Sequence, residues 1–201
     1  MKETILNGVA EMFLKYGIRS VSMDDIAHQL GISKKTIYQY FEDKNDLVNQ
    51  ITTNILEARF KEYDDKSKEA SNAIEELNSI SRLIRKHFGE INPAVMFDLQ
   101  KFHPEAWNLM HVHEHDVVCS SVVDNLKRGI KEGFYRSEID VNVLARMRVE
   151  LVHMAFDDNK FPKKEFDLKE VQMQIFDHFV HGLLTESGLE LYKKYQKQND
   201  E

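Results

Sequence analysis

Cysteine, proline and tryptophan are nearly missing from this chain: its 201 residues hold one Cys, three Pro and one Trp, with only eight Gly. The lone Cys119 cannot close an internal disulfide, so no oxidative framework is expected. Few turn-forming residues and no alternating β-branched runs argue against a sheet. No stretch approaches the roughly eighteen consecutive apolar residues that a membrane-spanning helix needs. A glycine-rich phosphate loop is also lacking, and no cofactor is expected. The chain opens Met-Lys-Glu-Thr, without the apolar run of a signal peptide, so the expectation is a soluble protein of the reducing cytoplasm. An excess of positive charge is missing too. Against 27 Lys and Arg stand 34 Asp and Glu, a net charge of −7, which argues against a generic polyanion binder.

What is present is helical. Hydrophobic residues make up 42% of the chain, enough for a real core. Ile5, Val9, Met12, Phe13 and Tyr16 recur at spacings of three and four, marking one face of a first helix that Gly17 stops. Ser22-Met23-Asp24-Asp25 has the form of a capping box, so a second helix starts near Met23 with Ile26, Ala27 and Leu30 inward and ends at Gly31. Ile32 plugs the turn. Ser33 caps a short helix from Lys34 to Tyr40, in which Ile37 and Phe41 form the buried stripe, and Asp43 caps a long fourth helix. Two short helices joined through a glycine turn describe a helix-turn-helix.

The run SMDDIAHQLGISKKTIYQYF at residues 22–41, followed by Lys44 and Leu47, resembles the signature of the TetR family of transcriptional regulators. It departs from the commonest form at Lys35, where many members carry glycine, and at Tyr40, where many carry histidine; base preference therefore stays open. The resemblance implies an all-α protein, with an N-terminal three-helix helix-turn-helix domain over residues 1–46 and a larger helical bundle over 47–201 for dimerisation and effector binding. It implies a homodimeric, effector-responsive repressor of double-stranded DNA, not an enzyme. Lys34, Lys35, Thr36, Tyr38, Gln39, Tyr40 and Lys44 form the expected DNA-binding set. Thr36 and Gln39 are candidates for base edges, Lys35 for guanine or phosphate, and Tyr38, Tyr40 and Lys44 for phosphates. Residues 1–50 carry six basic side chains against seven acidic ones, a net of −1, so placement has to do what net charge does not. With helix one starting near the first residue, no basic arm is expected, and specificity falls to this helix. A helical hairpin packing only against its own protein would share the same core residues; the outward, donor-rich face is what distinguishes DNA binding.

Beyond Leu47 periodicity is the main guide. It predicts helix four towards Tyr63, a loop or exposed helix end over 64–72, and a fifth helix marked by Ile74, Leu77, Ile80, Leu83, Ile84 and Phe88 and ended by Gly89 and Pro93. It also predicts a segment over 95–102 broken at Pro104, a long helix over 107–130, another through Val143 to Ala155, a last one over 168–184, and a fraying tail from Lys193. Phe88, Met96, Phe97, Phe102, Trp107 and Met110 are expected around a pocket for a small, largely apolar effector, although they suit ordinary core about as well. Leu144, Met147, Leu151, Val171, Ile175, Phe179 and Leu183, with Val143, Val152 and Val180, are the expected two-fold interface.

Rival chemistries are thinly supported. His111 and His115 share a helix face while His113 points elsewhere, so at most two could ligate one metal, with Glu114 and Asp116 nearby and His103 upstream. No metal is expected. The His115-Asp116 pair, with His87 and Asp157 in outer roles, would suit a metal-dependent phosphohydrolase, but the match is a dipeptide. Cys119 reads as a buried, inert thiol.

Overall fold

A computed structural model describes residues 1–90, 92–162 and 164–197. The fold is all-α: 77% of it is helical, and no strand occurs among the described residues. Among the described residues eleven α-helices follow one another: α1 (Lys2–Tyr16), α2 (Met23–Leu30), α3 (Lys34–Tyr38), α4 (Lys44–Glu69), α5 (Ala73–Glu90), α6 (Pro93–Phe102), α7 (Pro104–His113), α8 (Cys119–Lys131), α9 (Val141–Met154), α10 (Leu168–Leu183) and α11 (Glu186–Lys197). A π-helical stretch, Glu114–Val118, lies between α7 and α8. No helix among the described residues is long and apolar enough to cross a membrane.

Packing divides the chain into two compact units, residues 1–59 with 90–113, and residues 60–89 with 114–201. The first unit closes on Ile5, Val9, Phe13, Ile26, Ile37, Phe41, Leu47 and Val48, joined by Leu99 of α6 and Ala106 of α7. The second closes on Ile74, Leu77 and Ile84 of α5, Leu126 of α8, Phe176, Phe179, Val180 and Leu183 of α10, and Tyr135 and Tyr192. Tyr135 is 2% exposed, and its hydroxyl donates to Asn125 Oδ1 at 2.9 Å, so the buried phenol keeps a partner. Its ring lies so close to α8 that a Cβ on Gly129 would sit 2.1 Å from it, which is why glycine stands there.

Helix boundaries differ from the sequence expectation at several places: α3 stops at Tyr38 rather than Tyr40, α5 runs through Gly89 to Glu90, and α11 follows where no helix is expected. Helix α4 continues to Glu69, so the charged stretch after Tyr63 is a helix end carrying the Lys68–Asp64 ion pair at 2.6 Å. The helix expected over 107–130 begins at Pro104, tolerated in a first turn that needs no proline amide, and contains the π turn. Residues Lys193–Lys197 belong to α11, held by the buried Gly188 and Tyr192, while 198–201 lie outside the described residues.

Candidate nucleic-acid interface

Local chemistry places the reading head. The Ser22 hydroxyl accepts from the Asp25 amide at 3.2 Å, and Asp25 Oδ2 accepts from the Ser22 amide at 2.8 Å, closing the capping box that starts α2. Gly31 ends α2 at φ +64, the left-handed conformation a side chain resists. Ser33 caps α3 through the Thr36 amide at 3.0 Å. Asp43 then caps α4 through the Asp46 amide at 2.8 Å, and Asp46 answers by accepting from the Glu42 amide at 2.9 Å. Ile26 and Ile37 are fully buried and Phe41 nearly so. Each such side chain is worth about 1.5–3 kcal/mol in burial, which fixes α3 against α1 and α2.

The outward face of α3 and the following turn presents Lys35, Tyr38, Gln39 and Tyr40, all exposed. Lys34 is exposed as well, with its ammonium 3.1 Å from Asp24 Oδ2. Thr36 is half-buried, its hydroxyl 2.9 Å from the Ser33 hydroxyl. The acids that make residues 1–50 net negative are largely committed. Asp25, Asp43 and Asp46 accept backbone amides, and hydrogen bonds from the Ser22 hydroxyl and amide hold the Asp25 carboxyl below the usual carboxylate range.

Lys44 departs from the phosphate-holding part expected of it. Its ammonium donates to the carbonyls of Ile18 at 2.7 Å and Val21 at 2.5 Å and lies 5.9 Å from the Phe13 ring centre. Burial lowers its pKa, opposed by Asp98 and Asp25. The side chain is thus a strut from α4 to the α1–α2 loop, its ammonium bridging two loop carbonyls.

Sequence reasoning missed a set of polar ties within the same unit. Asn92 Nδ2 donates to Leu14 O at 3.0 Å, the Arg19 amide to Asp98 Oδ2 at 2.8 Å, and Asn49 Nδ2 to Glu105 Oε2 at 2.9 Å. His103 Nδ1 stands 2.8 Å from Asn45 Oδ1. Partners 56 to 79 residues apart leave no periodic signal.

The six expected pocket residues are divided between the two units, five in the first and Phe88 in the second. Met96 and Trp107 pack on the first unit's core; Met110 is buried on α7; Phe97 and Phe102 are exposed and meet edge to face at 6.2 Å. Phe88 packs in the second unit, 5.7 Å from Phe156. An open cleft of about 430 Å³ lies elsewhere, lined by Met12, Tyr16, Ser20, Val21, Asp25, His28 and Gln29.

The expected interface stripe also divides. Val171, Phe179, Val180 and Leu183 are buried in the second unit's own core; Leu144, Leu151, Val152 and Ile175 are half-buried; Val143 and Met147 stand exposed at 59% and 41%. A wide apolar arc on α10 fills its own protomer first.

Trp107 and His111 meet edge to face at 4.8 Å. No group of three or more His, Cys, Asp or Glu among the described residues is placed to hold a metal; the side chains of Glu114 and Asp116 lie outside the described residues. His87 is buried between Glu62 Oε2 at 2.8 Å and the Tyr63 hydroxyl at 3.1 Å, while Asp157 accepts from Lys160 on the surface. Cys119 is half-buried rather than enclosed.

Residues 5–51 match the family model described as bacterial regulatory proteins, tetR family. The uncharacterized HTH-type transcriptional regulator YvaF of Bacillus subtilis is 23% identical over 83% of this chain and 87% of its own. The HTH-type transcriptional repressor KstR2 of Mycobacterium tuberculosis is 24% identical over 71% and 72%. A transcriptional regulator from Cytophaga hutchinsonii has the same fold, with a TM-score of 0.73 at 20% identity over 91% of this chain and 98% of its own.

Proposed function

From the premise that this chain belongs to the TetR family, as a DNA-binding transcriptional regulator and not an enzyme, we propose that it is a cytoplasmic, effector-responsive repressor that binds a palindromic operator as a homodimer. The observation that carries the DNA contact is the exposed row Lys35, Tyr38, Gln39 and Tyr40 on a head where three acids, Asp25, Asp43 and Asp46, accept amides at helix starts. Gln39 reads a base edge, with Lys35 reaching guanine or phosphate; Thr36 offers its methyl, and Tyr38 and Tyr40 hold phosphates. Lys34 contributes once released from Asp24, and Lys44 supports the head from behind. Residues 1–46 are the DNA-contacting part and 47–201 the regulatory part. The name of one relative as a repressor supports the sign of the effect.

Dimerisation falls to the exposed face of α9, where Val143 and Met147 have no core to enter. Two half-sites then demand a fixed separation of two heads, and an apolar effector that shifts this separation lowers affinity. Met96 and Trp107 are the natural point of action, since they pack on the core that fixes α3 and α4.

Selection of genomic fragments by the purified protein tests the operator. A recovered palindrome should be bound by the wild type, and Gln39→Ala should cost about 1–3 kcal/mol on that site while leaving other sequences unchanged. Retained discrimination in the variant would remove Gln39 from the reading set. An apolar compound that releases the operator should alter the emission of Trp107, the single tryptophan; release with constant emission would sink the placement of the effector.

A further inference from the structure

His103 ends α6 and is 8% exposed, with its ring turned into the joint between α6 and the start of α4. We propose that His103 is a positioning residue for DNA binding, holding the recognition head in its binding form while neutral and loosening it when protonated. This rests on the DNA-binding reading above.

The geometry sets the neutral state. Asn45 Oδ1 can only accept, so the imidazole donates from Nδ1, as the neutral Nδ1–H form does. A proton on Nε2 would leave that hydrogen bond in place and add a positive charge in a nearly enclosed site. The charged groups around it come from four elements. Lys44 on α4 repels the new charge; Asp98 on α6 attracts it, and Lys101 lies on the same helix. Glu105 on α7 is committed to Asn49, and Arg19 of the α1–α2 loop lies over the Phe102 ring at 4.8 Å. Burial, then Lys44, outweigh Asp98 and lower the pKa of His103 from 6.5.

Lys44 has little freedom to retreat, because its ammonium is anchored on the carbonyls of Ile18 and Val21. Those carbonyls flank Arg19, whose amide is held by Asp98, and Val21 precedes the Ser22 cap of α2. Repulsion at His103 therefore loads the loop that fixes α2 and the first turn of α4, the two supports of α3. The sign follows from the lowered pKa: the stabilisation from neutral His103 is complete above about 6.5 and is lost as pH falls below it towards the folded value.

The test is operator affinity of the full chain between about pH 7.5 and about pH 5.5, the range in which histidine changes charge. The variant His103→Asn keeps an amide donor near the place of Nδ1–H and cannot titrate. Acidification should weaken the wild type several-fold more than His103→Asn. Superimposable profiles of wild type and His103→Asn overturn the inference alone, whereas no operator binding at any pH overturns the DNA-binding reading and the inference with it. If His103→Asn folds poorly, His103→Gln serves as the second non-titrating variant: a shallower acid loss of operator affinity than the wild type supports the inference, and superimposable profiles overturn it.

Discussion

The two units start their helices with the same local caps, Asp140 and Asp167 capping α9 and α10 as serines cap α2 and α3, but the second adds a distant partner at one helix start. In the head α2 is capped by Ser22, adjacent in sequence, and α3 by Ser33 in the same way. In the second unit the first amide of α5, that of Ala73, is satisfied by Glu132 Oε2 at 2.7 Å from 59 residues away, and Glu132 is in turn steadied by Arg128 at 2.8 Å. The head's core comes mainly from residues 5–51, and the second unit's from helices as far apart as α5 and α11. The helix-turn-helix of residues 22–41 is therefore specified by local caps, whereas the core of the second unit closes only when distant helices meet.

Breaking the second unit should have the largest effect. Phe179 is 5% exposed inside it, with the Arg148 guanidinium 6.0 Å from its ring. Phe179→Ala should cost about 3–5 kcal/mol, read as a fall in thermal midpoint and in urea resistance. Met147→Asp, at an exposed position one helix away, should leave the midpoint near wild type and give monomer in sedimentation. If Phe179→Ala yields a stable monomer instead, Phe179 faces a partner copy and the division of that stripe into core and interface is wrong.

Breaking the head's strut comes next. Lys44→Met keeps the aliphatic stem and removes two hydrogen bonds from a charged donor, each worth about 1.5–3 kcal/mol at most sites, less where water replaces the donor. The head should melt earlier, and binding to every DNA sequence should weaken together. A lysine that merely touched phosphate would instead flatten the salt dependence by about one unit per protomer at unchanged stability. An unchanged melting midpoint with a flattened salt slope would return Lys44 to the DNA surface.

This contrast also explains what could be read from the sequence. Ser22, Gly31, Ser33 and Asp43 announce their helix ends because a cap acts within three or four residues, and the helix-turn-helix follows from them. Ile26, Ile37 and Phe41 announce the inner face by spacing alone. Lys44 was legible as a cation beside the recognition helix but not as a strut, since its acceptors are backbone carbonyls 23 and 26 residues back. The α9 and α10 stripes were legible as apolar; whether an apolar face enters its own core, as at Phe179, or remains exposed, as at Met147, depends on neighbours that periodicity does not name. Helix α11 had a readable stripe in Gly188, Leu191, Tyr192 and Tyr195, masked by the polar residues between them.

The smallest expected effect separates stability from recognition within the head itself. Asp24 on α2 is an exposed acid paired with the recognition helix, with 76% of its side chain accessible and the Lys34 ammonium held at 3.1 Å. An exposed pair of this kind contributes about 0–1 kcal/mol, so Asp24→Asn should barely move the melting midpoint. Its effect on DNA should be larger, because the substitution removes a negative charge from the binding face and frees Lys34 for phosphate. Affinity should rise for all sequences alike, and the salt dependence should steepen by about one unit per protomer. Gln39 is untouched, so discrimination between operator and other DNA should stay as it was. A uniform loss of affinity would mean that Asp24 aims Lys34 at its phosphate rather than withholding it. A loss confined to the operator would mean that α2 takes part in reading bases, and the assignment of specificity to α3 alone would fall.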